Sequence, residues 1–194
     1  AAVDPLADRM GPVQLQLPPS FGPESAMELW SFVGALAPTH RWVVELRHPA
    51  WFDGGDCHRD LDDLLTESGI GRVVLDARPV HSAPPRTDAA VEERRTKPDL
   101  PVLVDAAGPT PVVRVIGADD GETTMAALRA WVPRIVQWLT EGREPHLFVH
   151  QPENHDSPVL ARRIHAEVAA AVASLAPLPE PLPVAPATEV TGQD

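Results

Sequence analysis

Five short apolar runs, each carrying a polar or charged side chain at or near its end, constrain this chain more than anything else in it. They are Val13-Gln14-Leu15-Gln16-Leu17, Trp42-Val43-Val44-Glu45-Leu46-Arg47, Arg72-Val73-Val74-Leu75-Asp76, Val112-Val113-Arg114-Val115-Ile116 and His146-Leu147-Phe148-Val149-His150. Segments with helical periodicity separate most of them. Alternating strand and helix reads as parallel βα units. In such units a ligand sits at the carboxyl ends of the strands, so the polar residues gathered there are the candidate site.

The punctuation of the chain agrees. Pro18-Pro19 stops the first run, and a helix is expected over 24–37, with Ala26, Leu29, Trp30, Val33 and Leu36 on one face. His48-Pro49-Ala50-Trp51-Phe52 reads as a loop. A helix over 57–68 buries Leu61, Leu64 and Leu65 and ends at Gly69. A long Pro-rich connection, 77–111, leaves the rim where a ligand would sit. Its part 87–95 has helical composition, and it is either a lid or wall or a solvated excursion. A helix over 123–140 carries Pro133 inside it, which should kink or split it. The last helix is expected to start with Ser157 as N-cap and Pro158 at the first helical position. Residues 177–194 are Pro-rich without an apolar period and read as a disordered tail.

Composition removes several classes. Of 194 residues, 43% are apolar, enough for a sizeable core. With a net charge of -12 and no dense run among 16 Lys and Arg, binding of nucleic acid through a basic face is disfavoured. No run approaches the length of a membrane span. One cysteine, Cys57, precludes an intrachain disulfide and suits a reducing, cytoplasmic compartment. Its acidic neighbours Asp53 and Asp56 disfavour a reactive thiolate. Neither Gly-rich phosphate motif occurs, and no particular cofactor is indicated.

Several ordered motifs are similar to those of the YecE-like family, also called domain of unknown function 72. They are Leu15-Gln16-Leu17-Pro18-Pro19-Ser20-Phe21, Val44-Glu45-Leu46-Arg47-His48-Pro49-Ala50-Trp51-Phe52, Asp76-Ala77-Arg78-Pro79-Val80-His81-Ser82, Val113-Arg114-Val115-Ile116-Gly117 and Phe148-Val149-His150-Gln151-Pro152-Glu153-Asn154. The resemblance implies an α/β fold of TIM-type barrel, with no established activity, substrate or cofactor. A closed barrel needs eight βα units. Five are visible, so the expectation is an incomplete barrel in which residues 1–176 are the C-terminal portion of one domain. An open sheet of this kind is expected to be unstable alone or to associate. Ala77 stands where many relatives carry Ser, which weakens any role for a hydroxyl there.

Period-two alternation puts Val43, Glu45 and Arg47 on one side of their strand. Gln14 and Gln16 have the matching parity. A charge aimed at the helices would be costly, so Glu45 and Arg47 should point away from them. The candidate acids and bases are Glu45, Asp76 and His48. The candidate ligand-binding residues are Gln16, Arg47, Arg78, Arg114, His150 and Asn154. Carboxylates would move protons while arginines hold an anionic group bidentately. That chemistry suits a hydrolase or lyase acting on a small anionic or polar metabolite. Two alternatives stand beside it: a binding or interaction protein using the same pocket, and a metal-dependent enzyme using His150 with carboxylates. The blander account is a buried Glu-Arg or Asp-Arg network that only holds register. His48 is a candidate base or a partner of a loop carbonyl. Trp51 and Phe52 either line the pocket or pack as core. His150, Glu153, His155 and Asp156 resemble a metal set in composition, but their spacing matches no strong motif. Asp119, Asp120 and Glu122 lack the full calcium-loop pattern.

Overall fold

The computed structural model describes residues 9–36, 40–104 and 108–180. Among the described residues six short strands and six α-helices follow in the order β1 (Val13–Gln16), α1 (Ala26–Gly34), β2 (Trp42–Glu45), α2 (Asp56–Glu67), β3 (Gly71–Arg72), β4 (Val74–Asp76), α3 (Arg78–Ser82), α4 (Asp88–Thr96), β5 (Val112–Ile116), α5 (Gly121–Thr140), β6 (His146–His150) and α6 (Ser157–Ala171). All strand pairings are parallel, in two three-stranded sheets ordered β1-β2-β3 and β4-β5-β6. The chain is therefore α/β, and the expected TIM-type barrel, even in incomplete form, is corrected to two small sheets.

The physical reason lies at Val73. Its N–H still donates to Val44 O at 2.8 Å, but the next residues pair with β5 instead of β2. The expected third strand is thus divided between two ladders. At the outer edges β1 and β6 have no strand partner among the described residues. Arg41, just before β2, links the segments that lead into them, pairing with Glu144 at 2.5 Å and donating to Met10 O at 3.2 Å.

Each sheet buries one face under helices. Leu29, Val33, Val44, Leu46, Leu61, Leu65 and Ile70 pack between the first sheet and α1 and α2, with Trp51 fully buried among them. Val74, Val113 and Val115 of the second sheet meet Met125, Leu128, Trp131, Ile135 and Trp138 of α5, and Leu160, Ile164 and Val168 of α6. Each such side chain contributes about 1.5–3 kcal/mol on burial. This contact also explains why α5 runs unbroken through Pro133, since burial on both sides of it outweighs one lost ladder bond.

Several local expectations shift. The chain enters α1 through a 3-10 turn at Pro23–Ser25, and the loop at 48–52 becomes a 3-10 turn, Pro49–Phe52. Gly69 ends α2 with φ 65°, in the left-handed region open to glycine. Asp156 replaces Ser157 as the N-cap of α6, and Pro158 falls within its first turn. The connection at 77–111 holds both α3 and α4. Val80 of α3 packs on Leu75 and Ile116, against the sheet face opposite α5. The tail expected at 177–194 lies outside the described residues from 181 onward, as do the first eight residues and 37–39. No helix of the described residues is long and apolar enough to cross a membrane.

Candidate functional site

Register decides which polar residues meet. Gln14 and Gln16 lie opposite Val43 and Glu45, and Arg114 lies between Leu75 and Phe148, with Ile116 opposite His150. These residues share the face turned away from α1, α2, α5 and α6. A small apolar layer of Val43, Val73 and Val112 closes its lower end, and Leu75, Val80 and Ile116 bound one side of its upper end. Gln14, Gln16 and Phe148 are exposed, so the face is open to solvent at both edges.

Glu45 is the centre of the cluster. It is 0% exposed, and both its oxygens are occupied. Oε1 accepts from Arg47 Nε at 2.7 Å, and Arg47 Nη2 is ion-paired with the same oxygen at 2.7 Å. Oε2 accepts from Gln14 Nε2 at 2.8 Å and from Arg114 Nη1. Arg114 Nη1 also donates to Gln16 Oε1 at 3.2 Å, bringing residues 98 positions apart into contact. Arg47 and Arg114 side chains each keep 14% of their surface exposed.

Arg114 Nη2 lies 3.4 Å from His150 Nε2. Guanidinium only donates, so that nitrogen must carry a lone pair and the ring must be neutral. Burial pushes the imidazole below its ordinary value, and the positive charges of Arg114 and Lys97 push it the same way. Glu93 and a hydrogen bond with Asn154 oppose them. Lys97 and Glu93 reach this position from the end of α4, which is anchored on α3 by the His81 Nε2···Lys97 O contact at 3.2 Å. Asn154 adopts φ 51°, and its Oδ1 accepts from Gln151 N at 3.2 Å, so it shapes the turn after β6.

Three of the sequence candidates stand apart from this cluster. Asp76 has the parity of Val113 and Val115, because Leu75 pairs with Arg114. It therefore points at α5, against the expectation that a charge would avoid the helices. Four hydrogen bonds compensate: from Arg78 N at 3.2 Å, Arg78 Nε at 2.8 Å, Arg78 Nη2 at 2.7 Å and Trp131 Nε1 at 2.8 Å. Burial pushes its carboxyl up, and these bonds more than reverse that, holding it below the usual carboxylate range. Arg78, 59% exposed, is spent on this pair. His48 caps the following 3-10 turn, its Nδ1 accepting from Ala50 N at 3.2 Å, an amide where a carbonyl was expected.

The aromatic candidates resolve as core. Trp51 donates Nε1–H to Phe21 O at 2.8 Å, and Phe52 lies under the Arg72 guanidinium at 4.4 Å. Arg72 itself escaped the sequence reading. It is buried between the first sheet and α2, donating to Asp62 Oδ1 at 2.7 Å and Trp51 O at 2.5 Å. Burial depresses its guanidinium, and Asp62 opposes that. Its signal was a charged residue at a strand start, which alternation alone cannot assign to a face. Among the described residues no three His, Cys, Asp or Glu side chains converge to hold a metal.

Comparison with known proteins agrees with the motifs. Residues 1–185 match the family described as protein of unknown function DUF72. The chain is 36% identical over 162 residues to UPF0759 protein YecE of Escherichia coli K12, covering 84% of this chain and 59% of that protein. It is 35% identical over the same length to UPF0759 protein YecE of Escherichia coli O157:H7. The chain thus spans about three-fifths of the length of these curated relatives. A crystal structure of a DUF72 family protein from Enterococcus faecalis V583 superposes with a TM-score of 0.62 at 13% identity, over 86% of this chain and 66% of that one, a likeness of fold.

Proposed function

This chain belongs to the DUF72 family of proteins of unknown function, and we propose that its Glu45–Arg47–Arg114 cluster is the binding site for a small anionic metabolite. One observation carries the reading: two guanidinium groups share a single buried carboxylate, leaving one surplus positive charge at an open lip. A ligand carboxylate or phosphate supplies the missing counter-charge. At an effective dielectric constant near 20, two unit charges about 4 Å apart attract by about 4 kcal/mol, which is ample for selective binding. Arg114 Nη2 meets only the imidazole of His150 at 3.4 Å among the described residues, so it is the donor most available to an incoming anion.

The same geometry argues against Glu45 as the proton acceptor of a hydrolase or lyase. Both of its oxygens already accept from cationic or amide donors. Asp76 faces the other side of the sheet and is equally engaged. Proton transfer on a bound ligand falls instead to the neutral His150, which borders Arg114 and carries a free lone pair once a ligand displaces that contact.

Titration calorimetry with inorganic phosphate and a series of mono- and dicarboxylates tests the reading. Arg114→Gln removes a charge-assisted donor and should weaken anion binding about 10- to 100-fold. Binding that is equal in wild type and Arg114→Gln, or absent for every anion, refutes it.

A further inference from the structure

The strand beside Arg114 narrows the chemistry of the ligand. In the β5–β6 ladder Arg114 lies opposite Phe148, and Ile116 opposite His150. Period-two alternation puts Phe148 and His150 on one side of β6, while Leu147 and Val149 on the other side pack into the core beneath α5 and α6. Phe148 is 49% exposed. Single exposed apolar residues are ordinary on a protein surface. This one stands on the open sheet face, beside the guanidinium that has a donor to spare.

The two ends of that guanidinium point different ways. Nη1 donates to Gln16 Oε1 on β1 and Glu45 Oε2 on β2. Nη2 turns toward β6, where it meets His150 Nε2 at 3.4 Å. An anion taken up by Nη2 therefore sits on the β6 side of the site, and the body of the molecule that carries it has the phenyl ring of Phe148 as a wall. The charge balance selects the anion. Arg47 and Arg114 share one Glu45, so one positive charge is left over. A carboxylate balances it, whereas a phosphate ester, at about -1.5 to -2, overshoots it. An aromatic body is favoured over an alkyl chain for two reasons. Offset or edge-on ring pairs are stabilised beyond the area they bury. A ring conjugated to its carboxylate also brings no flexible rotors to be frozen on binding.

Resting on the anion-site reading, we propose that the ligand is an aromatic carboxylate, its carboxylate on Arg114 Nη2 and its ring against Phe148. Phe148 is then the specificity-determining residue of the site.

The test is titration calorimetry of the whole chain with benzoate, cyclohexanecarboxylate and acetate, three monocarboxylates of equal charge. Benzoate should bind at least about tenfold more tightly than acetate and about threefold more tightly than cyclohexanecarboxylate. Phe148→Ala should weaken benzoate about tenfold, to near the level of acetate, and leave acetate itself unchanged. Unchanged acetate binding also shows that the variant is folded. Phe148→Trp keeps an aromatic face and should retain the preference for benzoate. Arg114→Gln should weaken all three acids alike. The two readings fail differently. Equal affinity for benzoate and acetate, with both weakened by Arg114→Gln, overturns the aromatic ligand and leaves the anion site standing. Benzoate binding unchanged in Phe148→Ala does the same. Absence of binding by all three acids removes the anion site and this inference with it.

Discussion

Replacing Glu45 with Gln separates the structural and binding consequences of the cluster in one experiment. The substitution keeps shape and one carbonyl oxygen but removes the charge that two arginines share. If the remaining oxygen keeps Gln14 and Arg114, the new amide faces Arg47, donor against donor. One hydrogen bond and one ion-pair contact to Arg47, both at 2.7 Å, are then lost. Charge-assisted bonds contribute about 1.5–3 kcal/mol each, and breaking a buried pair costs about 3–5 kcal/mol. Arg47 lies near the lip and can turn toward water, so a loss near the lower figure, about 3 kcal/mol, is expected. Urea unfolding should show the midpoint falling by roughly 1–3 M at unchanged slope. Anions should then do the opposite of damage. With the site one charge more positive, phosphate should bind the variant more tightly than wild type and restore part of the stability, since a ligand at a hundred times its Kd adds about 2.7 kcal/mol. A loss below about 1 kcal/mol would mean the carboxylate does not hold the two guanidiniums together. A phosphate response no greater than that of wild type would refute the surplus-charge argument.

Other outcomes follow from neighbouring features. His150 is held below its ordinary value, so its contribution to stability is present above the unfolded-state value of about 6.5 and is lost as the pH falls through and below it. Arg114→Leu should raise the His150 pKa, measurable by following its ring protons by NMR, and an unchanged value would remove Arg114 as a cause. Asp76 is likewise held low, so its stabilisation is complete above about 3.9 and declines in stronger acid; Asp76→Asn should flatten that part of the stability profile and lower the melting temperature. A Cβ on Gly117 would stand 2.6 Å from Thr124 Oγ1 and 2.8 Å from His150 O, so Gly117→Ala should cost about 1–3 kcal/mol, and an unchanged melting temperature would show that the turn yields freely.

Much of the site was legible because strand periodicity is local. Gln14, Gln16, Glu45 and Arg47 share a face by counting in twos, and their positions followed without knowledge of any partner strand. Arg114 is flanked by apolar residues on both sides, and the partner it finds, Glu45, lies 69 positions away. Helix faces were equally local, as Leu29, Val33 and Leu61 illustrate. Asp76 is not assigned to a face by parity within its own strand, because counting along one strand does not say how that strand is aligned with its neighbour. The buried guanidinium of Arg72 carries no local pattern at all.

The amino-acid sequence by itself determined the alternation of strands and helices, their parallel sense and the parity within each strand, since all three arise from backbone geometry over a few residues. Only the tertiary structure decided that the chain leaves one ladder for another at Val73, that Asp76 faces α5 while Arg114 faces Glu45, and that Gln16 and Arg114 touch across 98 residues. Those outcomes depend on register between distant segments. Register is set by the sum of many packing and hydrogen-bond energies across the sheets, which no short stretch of sequence contains.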